Sequence, residues 1–63
     1  MKEIWIRRDR NDGEEEEITK GAAKARLIGF YHRINVAMAH ASRQVPLTTG
    51  YADYYPKEEK KEG

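Results

Sequence analysis

An α+β fold is what this sequence predicts: a small antiparallel sheet, made of an N-terminal strand or hairpin plus a C-terminal strand, packed on one long helix. Three observations carry that expectation. Apolar and polar residues alternate over Lys2–Arg8, a turn signal follows at Asn11-Asp12-Gly13, and from Ala23 the apolar spacing changes to that of a helix. Alternation with period two marks a half-buried strand, whereas steps of three and four mark one face of a helix.

The first strand reads from Lys2 to Arg8, with Ile4, Ile6 and Arg8 on one side and Trp5 and Arg7 on the other. Asp-Gly supplies the left-handed backbone that a tight hairpin turn needs. Glu14–Thr19 is then either a returning second strand or an acidic connector, because four consecutive glutamates are poor strand formers. Thr19 is placed to cap the helix that follows, and the glutamates before it lie near the positive end of its dipole.

At about 100° per residue, Ala23, Leu27, Phe30, Ile34, Ala37, Met38 and Ala41 form one apolar stripe. The helix is expected to run to about Arg43, because Pro46 cannot continue it. Gly21 and Gly29 weaken it, and a break near His32–Asn35 would divide it in two. Leu47–Tyr55, rich in Thr and Tyr, reads as the last strand, with Gly50 marking a bulge or a close backbone approach. Residues 1–56 thus make one small domain whose core is Ile4, Ile6, Leu27, Phe30, Ile34, Met38 and Leu47. Residues 57–63, charged and without apolar side chains, read as a disordered tail.

A chain of 63 residues buries little surface, and without cysteine it has neither disulfides nor thiolate metal sites to reinforce it. Self-association or a partner is the remaining support. The absence of cysteine and of a long apolar run leads us to expect a cytoplasmic protein. The net charge of +1 hides a segregation: residues 1–18 balance to −3, residues 19–43 to +5 without a single acid, and residues 44–63 to −1.

Catalytic and metal patterns are weak. His32 and His40 would stand about 12 Å apart along a helix, too far for one metal ion. The loop from Asp9 has its glycine one position early for a calcium loop and Lys20 where the closing glutamate belongs. His40, Ser42 and Asp53 are triad residue types without a nucleophile elbow or an oxyanion pattern. No enzyme, metal or cofactor is expected.

Two features rise above this background. Opposite the core stripe lies a second one, Ala25, Ile28, Gly29, His32, Val36 and Ala39, flanked by Lys24, Arg26, Arg33 and His40. Small residues permit close approach of another backbone, and Ile28 and Val36 are misplaced on a free surface, so this stripe is the expected partner-binding face. The second feature is basic side chains (Arg7, Arg8, Arg26, Arg33) accompanied by Trp5, Tyr31, Tyr51, Tyr54 and Tyr55, a composition suited to nucleic acid or another anion. In size and character the chain resembles small accessory proteins of phages and mobile elements that bind and block a larger protein. The leading expectation is therefore a non-catalytic protein-binding module, an inhibitor or adaptor, that binds another protein or itself as a homo-oligomer. Nucleic-acid binding is the alternative, and sequestration of a small anionic ligand such as a nucleotide by Arg7, Arg8 or Arg33 is the third.

Overall fold

The structure is a computed structural model and describes residues 3–58. The expected tail over 59–63 lies outside the described residues. Its first expected residue, Lys57, is still tied to the sheet: its N–H donates to the Ile4 carbonyl at 2.9 Å.

The chain runs β1 (Ile4–Asp9), β2 (Glu15–Thr19), α1 (Lys20–Leu27), α2 (Ile34–His40), β3 (Leu47–Thr48) and β4 (Ala52–Pro56). The four strands form one antiparallel sheet in the order β2-β1-β4-β3. All of the expected segment but Glu14 is thus a strand, Glu15–Thr19, rather than a connector. Gly13 takes φ 77°, and the Asp9 and Asp12 carboxylates accept the N–H groups of Asn11 and Glu14, so the hairpin turn is held by its own side chains. At its far end β2 passes directly into α1, where the Thr19 hydroxyl accepts the Ala22 N–H at 3.1 Å.

The expected single helix is two. α1 ends as the Ile28 N–H closes on Lys24, Phe30 turns back to the Leu27 carbonyl, and Arg33 has a non-helical backbone before α2 begins. A straight helix over residues 20–43 would be about 36 Å long, against strands of roughly 20 Å. Its ends would have had no sheet to cover. The bend brings both halves back over the same surface, and Gly29 is where the helix loses least by stopping.

The last strand is likewise divided. Thr49 and Ala52 face each other across Gly50 and Tyr51, Gly50 has φ 88°, and Leu47–Pro56 becomes a hairpin. Gly50 therefore serves a turn and not a bulge.

One face of the sheet meets the helices. Trp5, Leu47, Ala52 and Tyr54 form a single buried cluster with Ala23, Leu27, Ile34, Met38 and Ala41. Leu27, fully buried, contributes on the order of 1.5–3 kcal/mol. The expected core needs three corrections. Phe30 falls in the bend and is exposed. Ile6 is buried but stands opposite Tyr55 on the other face of the sheet, because Trp5 occupies the helix-facing side. Ile4, on that same second face, is only half-buried.

Candidate interaction surface

The bend between the helices determines what the second stripe becomes. Ala25 stays on α1, Ile28, Gly29 and His32 lie in the connection, and Val36 and Ala39 belong to α2. All six are exposed, but helical periodicity stops at Ile28 and restarts at Ile34, so they do not form one continuous line. Three large apolar side chains stand out in water here: Ile28 at 61% exposure, Phe30 at 57% and Val36 at 55%. The charged residues of the helical segment from residue 20 to residue 40 are all basic, Lys20, Lys24, Arg26 and Arg33. Of these, Lys20 is paired, with Glu3 at 3.4 Å. The bend separates Arg26, on α1, from Arg33, just before α2.

Arg7 and Arg8 of β1, and Arg10 just after it, are turned to the fold's own acids. Arg8 donates to Asp53 at 2.9 Å and lies 5.8 Å above the Tyr55 ring, while Arg10 stands 3.9 Å from the same carboxylate. Burial alone would raise the Asp53 pKa, but the hydrogen bonds from Arg8 and Thr48 and the charges of Arg10 and Arg8 outweigh it and hold the carboxyl below its ordinary range. Arg7 points to the opposite face of the sheet, 3.8 Å from Asp9, and hydrogen bonding to Tyr54 raises its pKa. Burial, then the Glu15 carboxylate that accepts the Tyr55 hydroxyl at 3.1 Å, pushes Tyr55 up. Arg8 and Arg10 therefore converge on the fold's own Asp53, and Arg7, on the other face, does not join them.

The aromatic residues divide in the same way. Trp5, Tyr54 and Tyr55 are buried, and the half-buried Tyr31 uses its hydroxyl on Thr48. Tyr51 alone of that group is fully open, so a stacking platform of several rings is not assembled. Phe30, at the bend, is the other exposed ring.

A groove of about 690 Å³ runs between the end of β1 and α2, with Trp5, Met38 and Ala41 among its walls and Lys20, Asn35 and Lys57 around it. The Trp5 indole N–H is buried without a hydrogen-bond partner among the described residues. A second depression of about 340 Å³ lies on the other sheet face, beside Ile6, Tyr55, Arg43 and Glu17. None of Arg7, Arg8, Arg26 and Arg33 lines either one. Among the described residues no three His, Asp or Glu side chains gather as metal ligands, and no helix is long and apolar enough to cross a membrane.

These features define a small α+β domain with an apolar, cation-rimmed helical surface. No protein-family model matches the chain, and neither a curated protein nor a solved structure matches it significantly.

Proposed function

We propose that this chain is a non-catalytic protein-binding module of the cytoplasm, an inhibitor or adaptor of a larger protein or a subunit that pairs with itself. The exposure of Ile28, Phe30 and Val36 on the helical layer is the observation that supports it most. Scattered single apolar residues on a surface are ordinary, but three bulky ones within nine positions of a chain this small are costly to leave in water. The surrounding Lys24, Arg26 and Arg33 suit a charged rim that speeds encounter with an acidic surface, while the apolar centre supplies affinity.

The test is site-specific photo-crosslinking, with the reactive residue placed at Phe30 or Val36 and, as a control, at Asp12 in the β1–β2 turn. A protein adduct at positions 30 and 36, absent at 12 and lost when Ile28→Glu is added, is the expected result. Adducts that vanish on nuclease treatment would transfer the assignment to nucleic acid. In that case binding would also fall by orders of magnitude with salt and be lost in Arg26→Ala/Arg33→Ala.

A further inference from the structure

The two outer edges of the sheet are finished differently. At the β3 edge, Thr49 bonds to Ala52, so by alternation Leu47 bonds to Tyr54 and the backbone groups of Thr48 point out of the sheet. Both are occupied: the Tyr31 hydroxyl accepts the Thr48 N–H at 3.2 Å and donates to the Thr48 carbonyl at 3.1 Å. β4 then ends on Pro56, which has no N–H to present. This edge is closed.

The β2 edge is open. Asp9 bonds to the Glu14 carbonyl and Lys20 to the Glu3 carbonyl, which fixes the phase of the ladder: Glu16 and Ile18 bond to β1. The N–H and C=O groups of Glu15 and Glu17, and the N–H of Thr19, consequently face away. No described residue hydrogen-bonds to them. An unpaired edge of this kind is a template for another strand.

Charge decides which strand fits. Glu15 and Glu17 flank the edge on one face of the sheet and Glu16 on the other, beside the half-buried Ile18. In a two-fold pairing of β2 with a second copy centred on Glu16, glutamate would stand opposite glutamate at every central position, which is destabilising. Glu15 and Glu17 are held by Tyr55 and Lys57, whereas among the described residues Glu14 makes no salt bridge and Glu16 meets only the cross-strand charge of Arg7. We propose that β2 is a docking edge for an extended, lysine- or arginine-rich segment of a partner protein, which adds as a fifth strand. Backbone hydrogen bonds to Glu15 and Glu17 would supply the register, and basic side chains at every second position of the incoming strand, which share one face, would meet Glu14 and Glu16. This edge is separate from the helical surface proposed above, and either can fail without the other.

The probe is a short peptide alternating lysine with valine or threonine, added to the whole chain and followed by amide hydrogen exchange and NMR shifts. Saturable binding that slows exchange at Glu15 and Glu17, with Glu16 and Ile18 nearly unchanged, is expected. Methylating the peptide's alternate backbone nitrogens should weaken it at least about tenfold, since two hydrogen bonds are lost. Glu16→Lys should weaken the basic peptide further and admit its glutamate counterpart. If that variant unfolds, the methylated peptide still decides. Equal binding of the methylated peptide, protection centred on α2, or no binding at millimolar peptide would each overturn the proposal.

Discussion

Removing one oxygen, in Tyr31→Phe, isolates the device that closes the β3 edge. The ring remains to pack where it does now; only the hydroxyl that bridges the Thr48 N–H and carbonyl, at 3.2 and 3.1 Å, is lost. A net hydrogen bond is worth about 0.5–1.5 kcal/mol. Thr48 is exposed, so water replaces part of what is lost, and the two bonds together should be worth about 1 kcal/mol. In a domain of this length that corresponds to a fall in Tm of roughly 4–8 °C. The Thr48 amide should also exchange about fivefold faster. Thermal unfolding followed by circular dichroism, with residue-resolved hydrogen exchange, measures both. An unchanged Tm together with unchanged Thr48 exchange would show that the bridge does not form in solution. A loss above about 3 kcal/mol would show that the hydroxyl supports more than the edge.

Other outcomes follow from the same structure. Leu27→Ala, at a fully buried position, should cost about 2–5 kcal/mol, whereas Phe30→Ser should change stability by less than about 0.5 kcal/mol; denaturant titration of the pair distinguishes the bent helical layer from a straight helix that buries both. Val36→Glu should leave the circular dichroism spectrum and Tm intact while abolishing partner or self-association in sedimentation, and a wild type that stays monomeric and bound to nothing would refute it. Because the native Asp53 carboxyl is held below its ordinary pKa, its contribution is present above the unfolded value near 3.9 and is lost as pH falls through the depressed native one. Asp53→Asn should therefore be less stable than wild type at neutral pH, with the gap closing below about pH 4; a gap independent of pH would mean that Arg8 does not depend on the carboxylate charge.

Local signals determined much of this protein. Asp12-Gly13 was enough for a turn because its requirements, a left-handed residue and a carboxylate within two positions, are met inside the loop. Thr19 was enough for a helix start for the same reason. The spacing of Ala23, Leu27, Ile34, Met38 and Ala41 marked the buried helical residues correctly across the bend, since both halves turn the same face to the sheet. Periodicity reports which face is buried, not how much surface exists to bury it. The bend, the exposure of Phe30 and the division of residues 47–56 therefore came from the tertiary structure, where a short sheet limits the length of what packs on it. The same is true of the face that Trp5 takes from Ile6, of Arg8 meeting Asp53 45 positions away, and of Tyr31 closing an edge 17 positions on. Each joins residues distant in sequence, and only the folded arrangement of strands fixes which edge is covered and which is left open.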